Sequence, residues 1–280
     1  MSTLLILVLN FPVFFDAAAT HLRLDTLNKA IDAGKHIYTE KPIAPTVAEG
    51  IELMKRADAK GLKHGAVEDK LFLPGFRKLS NLMDRGFFGR VLGFKLEFGW
   101  WVFNGIEAES QRPSWNYKKS GGGGLLSDMH PHWRYVIEGI LGPINHVSCA
   151  AWTAQPDRID EDGNRYKVDV EDATATLLEM DSGARGIINS SWATRVRGDD
   201  LVTFQIDGTD GSAVAGLRNC WTQSAADTPL IHGFNMGSGP ETMDFYEDYN
   251  AQWKGVPEVA PYKNPYRFGW EGFIPHVVAD

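Results

Sequence analysis

Cysteine is scarce: only Cys149 and Cys220 occur in the 280 residues, with no C-x-x-C pair and no histidine cluster beside either. That argues against a disulfide framework and a cysteine-ligated zinc site, and points to reduced thiols in a cytoplasmic protein. Positive charge is not in excess either. The formal net charge is −8 and no basic stripe is available to neutralise phosphates, so no nucleic-acid partner is expected. Long apolar runs are also missing. The nearest imitation of a secretory h-region, Leu4 to Phe15, spans twelve residues, has no Lys or Arg before it and is interrupted by Asn10 and Pro12. It falls short of the ~20 residues a membrane helix needs and reads as buried strand material, so no membrane partner is expected. Finally, G-x-G-x-x-G occurs nowhere: neither the four-glycine run at Gly121 nor Gly237 with Gly239 fits it.

What is present is ordinary globular composition, 43% apolar and 23% charged, over a length that allows one large or two ordinary domains. The first part alternates strand and helix. Val13 to Ala17 reads as a short strand buried on both faces. Thr20 is placed to cap a helix from His21 to Ala33, stopped by Gly34. His36 to Thr39 is the next strand, ending at Glu40-Lys41-Pro42. Thr46 and Glu49 form a capping-box pair opening a helix to Lys60. Leu62 to Val67 is a strand and Pro74 to Arg85 a helix. This order predicts a partial doubly wound parallel sheet over residues 1–68.

After Arg90 the texture changes to strands joined by short turns: Val91 to Val102, His146 to Thr153, Ala173 to Glu179, Arg185 to Trp192 and Leu201 to Asp207, with a hairpin at Asp181-Ser182-Gly183. An open, mostly antiparallel sheet with helices on one face is expected over residues 69–280. Its free face, around Ala173 to Asp207, predicts a homo-oligomer packed through the sheet. Thr222 to Pro261, rich in Gly, Pro and polar residues, reads as the loosest stretch.

The stretch that carries chemistry is G-G-G-G-L-L-S-D-M-H-P-H-W, Gly121 to Trp133. Glycines let the backbone turn and leave room for a ligand to lie against it. Leu125 to Leu141 reads as a helix ended by Gly142 and Pro143, with Pro131 in its first turns. Asp128 and His132 are four apart and share a face, a pairing that can hold and pass a proton. The alternative is a linker before a core helix, with a core histidine and, at Lys41, a solvated strand-end lysine. His130 forms an H-x-H with His132, but residues two apart on a helix diverge, so no metal site is expected.

A-G-K-H-I-Y-T-E-K-P, followed about eighty residues later by G-G-G-x-x-x-D-x-x-x-H, resembles the Gfo/Idh/MocA family of NAD(P)-dependent oxidoreductases. N-P-Y-R-F-G-W-E-G-F, from Asn264 to Phe273, is similar to the family's late helix. The resemblance implies a Rossmann domain holding NAD or NADP, an open sheet domain covering it, and a site between them that moves a hydride from a hydroxyl carbon of a sugar, cyclitol or related polyol. It implies Lys41, Asp128 and His132 as catalytic residues: His132 as general acid/base, Asp128 binding a neighbouring hydroxyl and holding the imidazole, Lys41 donating to the reacting oxygen and keeping His132 neutral. Thr20, His21, Glu40, Lys41 and Pro42 are the cofactor-side candidates. Lys70, Trp115 and Tyr117 join Asp128 and His132 as substrate-side candidates, with Arg112, Trp100 and Trp101 as weaker ones. The missing glycine fingerprint marks the chain as a fragment of that architecture, expected to bind NAD(H) or NADP(H) weakly or not at all, and leaves a catalytically silent ligand-binding or subunit-interaction relative as the alternative.

Overall fold

The computed structural model describes residues 11–101, 104–197, 200–228, 249–258 and 263–279. The apolar run before Phe11 and most of the Gly/Pro-rich stretch before Pro261 lie outside the described residues.

Strand β1 (Val13–Asp16) leads through helix α1 (Thr20–Asp32) to β2 (His36–Thr39), and helix α2 (Val47–Ala59) leads on to β3 (His64–Ala66). The three strands pair in parallel in the order β1-β2-β3. Leu27, Ala30 and Ile31 of α1 and Leu53 and Ala57 of α2 bury one core with Ile37. At α2 Thr46 caps the helix as expected, its Oγ1 accepting from the Glu49 amide, while the Glu49 carboxylate takes the Thr46 hydroxyl in place of the backbone amide of a full capping box. At α1 the expected Thr20 cap does not form. Thr20 is the first helical residue, Ala19 is the cap, and no side chain bonds the free amides there.

The second sheet has eight strands in the order β13-β12-β11-β10-β4-β9-β8-β5. They are β4 (Val91–Gly99), β5 (Ile144–Trp152), β8 (Ala173–Met180), β9 (Arg185–Ser191), β10 (Val202–Gly208), β11 (Gly211–Ala215), β12 (Cys220–Ser224) and β13 (Lys254–Gly255). A separate ribbon pairs β6 (Asp157–Ile159) with β7 (Arg165–Lys167). All neighbours in the large sheet are antiparallel except β4 and β9. The predicted hairpin joins β8 to β9, with Gly183 at φ +84°. Strand β12 corrects the reading of Thr222 onward as loose: Trp221 and Thr222 pair with both β11 and β13.

Helix α3 (Pro74–Asp84) and helix α4 (Leu125–Leu141) pack on one face of this sheet. Their apolar sides, Phe76 and Leu79, and Leu125, Met129, Trp133, Val136, Ile137 and Ile140, meet Leu96, Phe98, Leu178, Ile188 and Phe204 in one core. Burying each such side chain is worth about 1.5–3 kcal/mol against its exposure, which fixes the face α4 turns to the sheet and thereby the face it turns to the first sheet. The last helix, α5 (Pro265–Val278), crosses back to the first sheet, where Trp270 and Phe273 pack on Tyr38. No helix among the described residues is long and apolar enough to cross a membrane.

Candidate active site

Buried charge organises the end of β1. Asp16 and Arg23 are almost wholly enclosed and joined by an ion pair of 2.6 Å. The same guanidinium donates to the carbonyls of Ala18 and Pro42, each at 2.5 Å, so one residue ties the Ala17-Ala18-Ala19 turn to the Glu40-Lys41-Pro42 turn. The Lys41–Pro42 peptide is cis. From that turn Lys41 reaches α4, where Nζ donates to Asp128 Oδ1 and to the Asp128 carbonyl, each at 2.5 Å. The two turns, α4, the segment 112–116 and Tyr266 of α5 line a cleft of about 380 Å³, within the range of small-molecule sites.

Burial lowers the Lys41 pKa, while the Asp128 carboxylate opposes the shift. Asp128 Oδ2 is buried without a hydrogen bond; Arg112 Nη2 stands 3.2 Å away as an ion contact. Burial raises the Glu40 carboxyl, and Asp69 adds to the shift. Burial first, then the charges of Lys41, Lys70 and Arg112, hold the His132 imidazole well below its ordinary value, so the ring is neutral at pH 7. That outcome requires the desolvation cost to exceed the pull of Asp69, whose Oδ1 stands 3.8 Å from Nδ1.

Cleft-lining positions therefore include Thr20, Glu40, Lys41, Pro42, Lys70, Arg112, Trp115, Asp128 and His132. Others differ from the sequence reading. His21 is exposed and not part of the cleft lining. Tyr117 is wholly buried, edge-on to Trp192 with the Arg158 guanidinium 4.2 Å over its ring, and cannot reach a sugar. Trp101 instead stacks with Arg195, and Trp100 packs on Phe98, both outside the cleft lining. Asp128 does not hold the imidazole: its carboxylate is taken by Lys41, and His132 Nδ1 lies 2.7 Å from the Tyr135 hydroxyl. His130 turns to Thr174 instead, 2.9 Å away, and burial takes its pKa down to about 4. Among the described residues no group of three or more metal-ligating side chains is placed to hold an ion.

The glycines also act differently from the sequence reading. A Cβ on Gly123 would lie 2.3 Å from the Asn116 carbonyl and one on Gly121 2.6 Å from that of Trp115, so these two allow a backbone-to-backbone approach and not contact with a ligand. Gly122 and Gly124 have φ of +71° and +119°, and only Gly122 lines the cleft. Pro131 sits in the second turn of α4, where it withholds an amide from the Ser127 carbonyl.

Asp69, Tyr135, Arg23 and Tyr266 escaped sequence reading. Tyr135 carried a signal, three residues after His132 on one helix face. So did Arg23, a cation on an otherwise apolar helix face behind a strand ending in Asp16. Asp69 and Tyr266 carried none.

The site thus lays a strand-end lysine on the aspartate of a glycine-loop helix, beside a β-α-β sheet and an open mixed sheet. The profile of the GFO/IDH/MocA C-terminal domain matches residues 76–214. The D-xylose dehydrogenase of Paenarthrobacter nicotinovorans is 47% identical over 271 residues, covering 95% of this chain and 68% of that protein. The chain belongs to the Gfo/Idh/MocA family of NAD(P)-dependent oxidoreductases. Levoglucosan dehydrogenase of Pseudarthrobacter phenanthrenivorans is 27% identical over 213 residues, covering 71% of this chain and 53% of that one. Among solved structures, an NAD binding oxidoreductase from Klebsiella pneumoniae superposes with a TM-score of 0.77 at 23% identity, over 99% of this chain and 74% of that one. A levoglucosan dehydrogenase in complex with NADH and L-sorbose gives 0.76 at 23% identity, with the same coverage.

Proposed function

We propose that the cleft oxidises a hydroxyl carbon of a sugar, with NAD or NADP as the hydride acceptor. The observation that carries this reading is the contact of Lys41 with Asp128 from elements 87 residues apart, with His132 in the same cleft. The names of two relatives, a D-xylose dehydrogenase and a levoglucosan dehydrogenase, support an aldose or anhydrosugar as the first substrate to try.

The residues fit one end of the cofactor. The buried Asp128 Oδ2, which has an ion contact to Arg112 and no hydrogen bond, and the small wall of Ala17, Ala18 and Ala19 suit a nicotinamide riboside meeting a polyol, with Thr20, Glu40, Lys41 and Pro42 on the cofactor side. For the pyrophosphate, these 280 residues contain no glycine fingerprint. When bound, the nicotinamide supplies the acceptor for the hydride. Lys41 has two N–H groups committed to Asp128 and directs its third at the reacting oxygen, stabilising the charge that grows there. Asp128 Oδ2 accepts from a neighbouring hydroxyl and so sets which carbon is presented. Neutral His132 takes the hydroxyl proton, because burial and the nearby cations keep it unprotonated until then. Trp115, partly exposed at the rim, offers an apolar face to the sugar ring.

A division of the chain near residue 68 is part of this reading; the change from the first sheet to the second supports that division, and α5, which returns to the first sheet, crosses it. The test of this reading is reduction of NAD+ and NADP+, each at millimolar concentration, by the protein against D-xylose, levoglucosan and related polyols. Turnover with one of them is expected. Tight sugar binding without cofactor reduction under any condition would favour a silent relative instead.

A further inference from the structure

We propose that Tyr135 and Asp69 are positioning residues that lock His132 in the tautomer carrying its proton on Nδ1, leaving Nε2 as the proton acceptor in the cleft. The inference rests on the reading of His132 as the base and adds how it is held ready.

The hydrogen-bond count assigns the tautomer. The Lys70 amide donates to the Tyr135 oxygen at 3.0 Å, and the Tyr135 hydroxyl donates to Asp69 Oδ1 at 3.2 Å. Asp69 is a paired carboxylate, with Lys70 Nζ 2.6 Å from its other oxygen, so toward the tyrosine it only accepts. The phenol has one hydrogen and that hydrogen is spent. What it still offers His132 at 2.7 Å is a lone pair, which requires Nδ1 to donate. His132, Tyr135 and Asp69 are all buried, so the opposite tautomer would strand a polar group with no water to replace the partner. When Nε2 takes the substrate proton, the positive charge faces Asp69 at 3.8 Å from Nδ1, against Lys41, Lys70 and Arg112. The other charged or titratable groups around the pair are Glu68, Glu40, Asp128 and, from α5, Tyr266.

The test is nitrogen-15 NMR of the histidines in the 280-residue chain, with His132→Asn to assign the signal. The proton is expected on Nδ1 in the parent. Tyr135→Phe, which removes one oxygen and keeps the ring, is expected to give a tautomer mixture. In steady-state assays at millimolar cofactor, Tyr135→Phe should lower kcat about tenfold or more with the sugar KM within about threefold. Asp69→Asn should move the acid limb of kcat/KM to lower pH, since the imidazolium loses its anion; a purely structural role would leave that limb in place. A parent His132 protonated on Nε2, or a tautomer unchanged in both variants, would overturn the proposal. Full activity in His132→Asn would instead overturn the assignment of the base, and the spectrum would still report on the lock.

Discussion

Lys41 illustrates how far a single residue could be read. Its type and its E-K-P context pointed to the site, whereas its geometry, two bonds to Asp128 and none to His132, depended on where α4 comes to rest. Replacing Lys41 with Met or His132 with Asn should lower kcat by about 10² or more and leave cofactor affinity within a few-fold, as expected for groups that act on the reacting oxygen. Steady-state kinetics beside a cofactor titration would check this, and near-parent turnover in either variant would remove that residue from the mechanism. His130 gives a prediction of a different kind. Its folded-state pKa of about 4 lies below the ordinary 6.5, so in that window the unfolded chain binds a proton that the folded chain refuses. The associated stability is present above 6.5 and is lost as the pH falls toward 4, by about 1 to 2 kcal/mol between pH 7 and pH 5. Buried His132 shifts in the same direction and adds to the loss. Urea unfolding at the two pH values should show a shallower loss in His130→Gln; an identical slope would mean the imidazole is not buried as described.

Elements were the most legible scale where one physical signal dominated. Apolar periodicity and Gly142 bound α4 at Leu125 and Leu141, and the Thr46/Glu49 pair marked the start of α2. Legibility failed where partners are remote in sequence. The parallel pairing of β4 with β9 and the ladder from β10 through β13 depend on neighbours that no local pattern reveals. The glycine loop was found for an incomplete reason. Its spacing was visible, but Gly121 and Gly123 are fixed by carbonyls of Trp115 and Asn116, a contact made only in the folded chain. Gly123→Ala should therefore destabilise by about 3 kcal/mol or more, as overpacking against backbone does. Gly122→Ala meets nothing within 4 Å and has only its φ of +71° to bear, which costs about 1 kcal/mol. Thermal unfolding of the two variants orders them, and equal losses would contradict the close approach.

At the scale of the whole molecule the two sheets set up two surfaces. The outer face of the large sheet exposes Leu177 beside its β9 partner Ile187, with exposed Ala175 nearby. We propose that a second copy of the chain covers it. Sedimentation at micromolar concentration should give at least a dimer, with Ile187→Glu shifting it toward monomer, and a monomeric parent would end the idea. The other surface is the side of the first sheet that carries the proposed cofactor positions. Without a glycine fingerprint in these residues, and with charge-assisted bonds to a pyrophosphate worth about 1.5 to 3 kcal/mol each, calorimetry should place the Kd of NAD(H) and NADP(H) for the 280-residue chain in the millimolar range. Micromolar affinity would mean that other residues build the phosphate site.

The central claim is that this cleft moves a hydride from a sugar carbon under the control of Lys41. Label transfer tests it most directly: the protein is given NAD+ and D-xylose deuterated at the carbon to be oxidised, and the reduced cofactor is examined by mass spectrometry. The account predicts one deuterium per reduced cofactor, formed about 10² or more slower in Lys41→Met with cofactor affinity within a few-fold of the parent. Reduced cofactor without the label, or labelled cofactor formed at the parent rate by Lys41→Met, would contradict it.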